Sequence, residues 1–432
     1  MSKPEKIASA VGVPVPNLRA LSASGAVVKL SDGRDYIDLM NGKGNITLGH
    51  HHPTVTEAIV ASLNNKLGSS TCWSEPFEDL AEIIVADSGI SNGQVAFFSS
   101  GTEACRAVVQ CARKITGKKI IASAGYHGWG DLWSSSSHFL QPNENGIIDF
   151  YFIPELLADV LENYHGEVAM VMISPDYVHL KPETLKKIAS LAREYGVLFC
   201  SDEVKNGYRS VAGSALSQVI GIQADFYTFA KGLCNGQRLS CLVGSSDMMQ
   251  KTKHMTYTAY FDTVPIVAAL ATLKYMHREQ GYKRLATCGS ILANTLCTLI
   301  TQVELPIKVM GDGPLLQFIC ATPELDEAFY TACARHRLLL YKFDNQAISL
   351  ATEAVLTELE IRFKQVFSEL AQNFSMQHPI HVPIERQMEA AFNMIDGASD
   401  VMPVSIGYKG MQYEQNKRLV WKTHNPNCST SR

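Results

Sequence analysis

Seven short runs of β-branched and aromatic residues occupy the first two-thirds of the 432-residue chain. They are VAFFSS (95–100), KIIASA (119–124), IIDFYFI (147–153), VAMVMIS (168–174), LFCSDE (198–203), FYTFA (226–230) and SCLVGS (240–245). Several are apolar throughout rather than at alternate positions, the pattern of strands covered on both faces. Helical spacing lies between some of them. Ala104, Ala107, Val108, Cys111, Ala112 and Ile115 recur with a helical period after the first run. PETLKKIASLAREYG (182–196) carries another amphipathic pattern, with Gly196 placed to end it. Strand, helix, strand in repetition predicts an α/β fold, a mostly parallel sheet with helices on both faces.

A helical stretch from about Pro265 to Glu279 follows this block. Beyond it PIKVMG, LLQFICA, RLLLYK and AISLA read as a second, smaller sheet, and EAVLTELEIRFKQVFSELAQ as a closing amphipathic helix. From about Asn373 polar and apolar patches alternate without a clear period. The net charge of −4 argues against nucleic acid or an anionic membrane as partner. No signal-peptide core and no long apolar span are apparent, so a cytoplasmic protein is expected. The 11 cysteines lack CxxC pairs and read as reduced thiols rather than a disulfide frame or a zinc site. His50, His51 and His52 are adjacent, and neighbours in an extended turn point apart, so no metal site is expected.

Three segments carry chemistry. In FFSSGTEACRAVV a strand runs into Ser99-Ser100-Gly101-Thr102 and a helix starts at once. Such a turn offers free amides and the positive end of the helix dipole to a phosphate, although serine and threonine also simply cap helices. In VLFCSDEVKNGYRS, Asp202 and Glu203 end an apolar strand, where they either balance a ligand's cation or face water. In ADFYTFAKGLCNG, Lys231 follows the next strand. It is either a lysine reaching out to solvent or an amine held in a partly dry pocket, suited to Schiff-base formation. A phosphate cup, a carboxylate and an amine on one sheet edge match the needs of pyridoxal phosphate: a phosphate tail, a pyridinium nitrogen and an aldehyde.

With GRDYIDLMNGKGNITLGHHHP, SSGTEACRAVVQCARKITGKKII, GYHGWGD, SDEVKNGYR, ADFYTFAKGLCNG and AALATL in this order, the chain resembles the class III aminotransferases among the fold-type I pyridoxal-phosphate enzymes. It is most similar to their glutamate-1-semialdehyde aminomutase branch over about residues 15–371. The resemblance implies a large domain (46–280) with a seven-stranded, mostly parallel sheet. A smaller α+β domain would come from both chain ends (1–45 and 281–371), with an extension at 372–432. It implies pyridoxal 5'-phosphate as cofactor and a homodimer with shared active sites. Lys231 would hold the cofactor as a Schiff base and move the proton, and Asp202 would pair with the ring nitrogen. Val204 and Tyr126 would cover the ring's two faces. Ser100, Gly101 and Thr102 would bind the phosphate, joined by Thr258 of a second subunit, although FDTVP replaces the family's usual GNP turn there. The family's GH.HP element, matched at the histidine triplet, is structural. His127 is given no fixed role.

Departures from the branch bear on the substrate. Arg19 sits where an arginine faces a substrate carboxylate. Lys43 replaces a common tryptophan, which suggests a more anionic or polyhydroxylated substrate. The segment 174–185 lacks the usual EP acid near the ring hydroxyl, a contact Asp176 would have to supply. The expected activity is ping-pong amino transfer from a small-molecule amine donor to an aldehyde or ketone. An aminomutase, or a racemase or epimerase on the same fold, is the alternative. A non-catalytic interaction protein is the remote one, and intact Lys231 and Asp202 argue against it. The extension, with its interleaved aromatic and basic residues, is expected to pack over a dimer or the active-site mouth.

Overall fold

The seven apolar runs form one sheet. The computed structural model describes residues 15, 17–134, 140–342, 344–374, 411–413 and 419–421. Strands β1 (Gly93–Phe98), β2 (Ile120–Ala124), β3 (Ile147–Asp149), β4 (Val168–Ile173), β5 (Leu198–Asp202), β6 (Phe226–Phe229) and β7 (Ser240–Ser245) stand in the order β1-β7-β6-β5-β4-β2-β3. β7 is antiparallel to both its neighbours and the remaining pairs are parallel. The carboxyl ends of six strands therefore share one edge. Every residue of β4 is buried, as a strand covered on both faces requires.

Alternate residues feed two separate cores. Phe97, Ile120, Ala122 and Val171 pack with α2 (Glu75–Ser88), α4 (Pro154–Asn163), α5 (Pro182–Glu194) and α6 (Thr263–Arg278), which follow α1 (Pro53–Asn64) in the chain. Ala96, Phe98, Ile121, Met170 and Met172 face the other way, onto α3 (Gly101–Thr116). The inward stripe of α3 is small: Ala104, Cys105, Ala107, Val108, Cys111 and Ala112 are all buried. Small residues let this helix lie close to the sheet, which holds its first turn hard against the strand ends. Gly196, expected to end α5, sits just beyond it in the left-handed conformation, with φ 60°.

The described residues up to Pro53 and those from Lys283 to Phe374 make a second compact unit, apart from the one that holds Thr54–Tyr282. It holds two sheets, not the single one expected. Ile307–Met310, Leu315–Cys320 and Gln346–Ala347 form one. Leu338–Leu339, from the RLLLYK run, instead pairs in parallel with Asp35–Asp38 beside Ala20–Ser24 and Val27–Leu30. Both leucines are buried, so their apolar pattern could not tell which distant strand would accept them.

Helix Gly281–Gln302 is long and apolar enough to cross a membrane by length and composition, against the reading of no long apolar span. Its residues Leu285, Cys288, Leu292 and Leu296 recur at helical spacing and are buried, which makes that face part of a protein core. The helix expected at the close of this unit is Leu356–Ala371. The extension from 372 lies almost wholly outside the described residues; Met411–Tyr413 pairs antiparallel with Leu419–Trp421.

This unit also contains a turn of unusual hand. Asn41, Gly42, Lys43 and Gly44 all have positive φ, at 47°, 61°, 58° and 82°. Asp38 pins its entrance by accepting from the amides of Met40 and Asn41, and His50 Nε2 meets its other oxygen at 2.8 Å. The buried Asn41 side chain donates to Asp38 O and Ala347 O.

Candidate active site

Four segments leave the carboxyl edge of the large sheet next to one another. Ser99–Thr102 follows β1, Gly125–Gly128 follows β2, Glu203–Val204 follows β5 and Lys231 follows β6. Ser100 caps α3 in a capping box: Glu103 Oε2 accepts from the amides of Ser99 and Ser100, and Ser100 Oγ accepts from the Glu103 amide. Ser240 Oγ fixes the turn from β7 by donating to Ser100 O at 2.6 Å. The amides of Gly101 and Thr102 open the helix, where no intrahelical acceptor exists for them. Tight contacts bind the segments together. A Cβ on Gly101 would lie 2.7 Å from Val204 Cγ1, and one on Gly128 would collide with Thr102 Oγ1.

Asp202 is 1% exposed and is the best-connected group of the site. Its Oδ1 accepts from the Val204 amide at 3.1 Å and from Thr228 Oγ1 at 2.9 Å. Its Oδ2 faces His127 Nδ1 at 2.7 Å and accepts from Cys105 Sγ at 3.2 Å. Among the described residues no lysine or arginine pairs with it, and His127 is the one basic neighbour in ion-pair range. A buried carboxylate without a cationic side chain is costly unless some other positive group meets it. Burial, then the neighbouring Asp202 charge, push the Cys105 thiol up, so it stays protonated and donates. His127 lies against Trp133, ring centroids 4.7 Å apart, and its Nε2 is buried without a partner among the described residues.

Glu203, the adjacent acid, turns away from this cluster. Both acids are buried, so the reading in which they face water is wrong. Glu203 Oε1 accepts from Tyr177 Oη at 2.6 Å, from Ser201 Oγ at 2.9 Å and from Ser214 Oγ. Burial pushes its carboxyl up, and the hydroxyl donors only partly oppose that. Asp176, the expected stand-in acid, is engaged by Lys205 Nζ at 3.1 Å.

Lys231 is half-buried and opens a short 3-10 turn with φ 36°, an uncommon conformation for a residue with a side chain. Gly232 behind it abuts Gly207, whose carbonyl would sit 2.7 Å from an added Cβ. The segment carrying the lysine is thus wedged against the loop that leaves Asp202. Tyr126 and Val204 are half-buried on the same edge. Thr258 is exposed beside an aromatic cluster in which Trp73 meets Tyr260 and Phe261 at 5.4 and 4.7 Å and Tyr257 meets Tyr260 at 5.2 Å. Arg19 and Lys43 belong to the other unit, where Arg19 is exposed and Lys43 Nζ lies 5.1 Å from the Tyr341 ring centre.

Three residues of this cluster are not marked out by the sequence. His127 stands there only as a neighbour of Tyr126. Cys105 sits in the apolar stripe of α3 and reads as core packing. Thr228 lies inside a strand, and only the β5–β6 register, which sets it opposite Asp202, reveals it.

The donor set fits pyridoxal phosphate. The open amides at the start of α3 suit a phosphate, and glycine at 101 and 128 lets these segments pack directly against Val204 and Thr102. Asp202 has no lysine or arginine partner among the described residues and suits a protonated pyridine ring, and Lys231 offers a primary amine at the same edge.

Comparison with known proteins agrees. The aminotransferase class-III family pattern matches residues 8–155 and 151–371. The chain is 29% identical over 353 residues to the 2'-deamino-2'-hydroxyneamine transaminase of Streptomyces kanamyceticus, covering 80% of this chain and 90% of that one. It is 28% identical over 343 residues to the glutamate-1-semialdehyde 2,1-aminomutase of Anaeromyxobacter dehalogenans, covering 73% and 79%. In fold it is similar to the PLP internal-aldimine form of the Sphingopyxis sp. MTA144 FumI protein, with a TM-score of 0.75 at 24% identity over 84% of this chain and 91% of that one. The chain belongs to the class-III aminotransferases and is a pyridoxal-phosphate-dependent aminotransferase of fold type I.

Proposed function

We propose that Lys231 and Asp202 are the catalytic pair of this enzyme, which takes an amino group from a small-molecule donor and passes it to an aldehyde or ketone in two half-reactions. The observation that carries the reading is Asp202, buried without a lysine or arginine partner among the described residues, at the edge from which Lys231 emerges. When bound, pyridoxal phosphate supplies a Schiff-base aldehyde and an electron sink for the substrate carbon. Lys231 Nζ would hold the cofactor through its aldehyde and, once freed by the donor amine, would carry the proton to and from the substrate carbon. Asp202 keeps the ring nitrogen protonated, and the donors on its two oxygens hold the carboxylate in one orientation. Ser100, Gly101 and Thr102 hold the phosphate at the positive end of α3. Val204 and Tyr126 would cover the ring and exclude water from it.

In this reading the enzyme is a cytoplasmic homodimer with shared sites, and Thr258 completes the phosphate site of the other copy. An exposed apolar stripe on α1, with Val60 49% and Leu63 53% exposed, supports a partner surface. The aromatic cluster around Trp73 supports a rigid loop bearing Thr258. No disulfide joins any of the ten described cysteines, which fits a reducing compartment. The acceptor is a polyhydroxylated carbonyl compound made in a biosynthetic route, with Arg19 and Lys43 contacting it. Lys43 in place of an aromatic wall and the likeness to a neamine-type transaminase support this class.

The test is a half-reaction screen. Holoenzyme mixed with a series of amine donors should lose its visible absorbance with the right donor and regain it with a polyhydroxylated ketone or aldehyde. Lys231→Ala should lose the borohydride-reducible attachment of the cofactor. Retained attachment would overturn the reading. The likeness to an aminomutase favours a second reading, intramolecular amino transfer. Turnover of a semialdehyde substrate without any added donor would select it.

A further inference from the structure

Cys105 is a buried nucleophilic group that the chemistry above does not use, and its surroundings give it another task. It lies one helical turn after Gly101, so the helix that opens at the phosphate turn also delivers this thiol to Asp202. Its Sγ donates to Asp202 Oδ2 at 3.2 Å, the same oxygen that His127 meets, and stands 3.8 Å from Thr228 Oγ1. The three groups Cys105, His127 and Asp202 are fully enclosed, with their polar atoms all within 4.8 Å of one another. Asp202 is thus held from three elements: α3 through the thiol, the loop after β2 through the imidazole, and β6 through Thr228. The first of these is also the phosphate-binding element.

We infer that Cys105 is a positioning residue that ties the ring-nitrogen acid to the phosphate-binding helix through a thiol hydrogen bond. The inference rests on the reading of Asp202 as partner of the ring nitrogen. A donor on Oδ2 favours the ionised carboxylate and limits its rotation, so that the acid meets the ring with its charge already oriented. Valine fills the space with one extra methyl group and supplies no proton, and alanine removes both the proton and the bulk. Serine keeps a donor but is shorter. Replacements of these two kinds therefore separate hydrogen bonding from packing.

The experiment titrates apoprotein with pyridoxal phosphate and with its analogue carrying carbon in place of the ring nitrogen. Cys105→Val should raise the dissociation constant of pyridoxal phosphate about fivefold, the size expected for losing one weak charge-assisted donor, and Cys105→Ser should stay within about twofold of the parent. With the carbon analogue, Cys105→Val and the parent should bind alike. Equal weakening of both ligands in Cys105→Val, or equal weakening by Val and Ser, would show a packing role and overturn the inference. So would unchanged binding in Cys105→Val. Apoprotein melting curves check folding, and Cys105→Ala replaces the valine variant if that one does not fold. Loss or retention of the reducible attachment in Lys231→Ala judges the underlying reading separately. If Lys231→Ala loses it while Cys105→Val changes nothing, only the inference falls.

Discussion

Gly101→Ala is the substitution whose outcome the geometry fixes most closely. An alanine Cβ at this position would sit 2.7 Å from Val204 Cγ1 and 3.0 Å from Val204 Cγ2. Carbon atoms rest at about 3.5–4.0 Å, so the overlap is about 1 Å. The obstacle is one side chain, not backbone. The turn and Val204 must therefore separate, at a cost of about 1–3 kcal/mol typical of overpacking. Since both elements belong to the proposed cofactor cradle, much of that cost should appear in cofactor affinity, a loss of about 5- to 150-fold. Removing the obstacle tests the cause: Gly101→Ala with Val204→Ala should recover most of the affinity relative to Val204→Ala alone. The assay is fluorescence titration of apoprotein with pyridoxal phosphate, with thermal melting beside it. A single Gly101→Ala variant that binds like the parent, or a double variant no better than additive, would refute the reasoning. Gly128→Ala makes the contrast, because Thr102 Cα would lie 3.0 Å from its Cβ and φ is +109°. Trimming Thr102 should not rescue that variant.

Glu203→Gln should keep the acceptor for Tyr177, Ser201 and Ser214 and change stability at neutral pH by about 1 kcal/mol or less, whereas Glu203→Ala strands three hydroxyls and should cost about 3 kcal/mol in denaturant unfolding. The Asp149 carboxyl is pushed up to about 7 by burial, only partly opposed by the amide of Tyr151. The folded chain then holds this proton more tightly than the unfolded chain. Its contribution is full below the ordinary value near 3.8 and is lost as pH rises towards about 7. Asp149→Asn should therefore raise the melting temperature above that window and bring no gain below it. Gly49→Ala should fail to fold stably, because its Cβ would fall 2.5 Å from Ala351 Cβ at φ +113°; soluble yield and melting report it.

The parallel sheet was legible because β4 and its neighbours are apolar on both faces, a pattern that neither an amphipathic helix nor a half-exposed strand produces. Lys231, Asp202 and the turn at Gly101 stood out because each interrupts an apolar run at a strand end. What stayed hidden depends on register. Thr228 looks like any strand threonine until β6 is set beside β5, and Cys105 looks like a small core residue until α3 is laid on the sheet. The partner of Leu338–Leu339 was illegible for the same reason: apolarity says that a strand is buried, not which strand accepts it. The two acids at 202 and 203 read alike in sequence, and only the structure separates them: Asp202 meets Cys105, His127 and Thr228, whereas Glu203 turns to the hydroxyls of Tyr177, Ser201 and Ser214.

The left-handed turn at 41–44 bears on how variants at position 43 should be read. An L-residue with a Cβ pays about 1–2 kcal/mol in that conformation, and glycine pays almost none. Lys43→Gly should therefore melt higher than the parent while losing its cation. If Lys43 contacts the acceptor as proposed, thermostability and substrate preference pull in opposite directions at this one place, and a library ranked only by heat resistance would discard the lysine first.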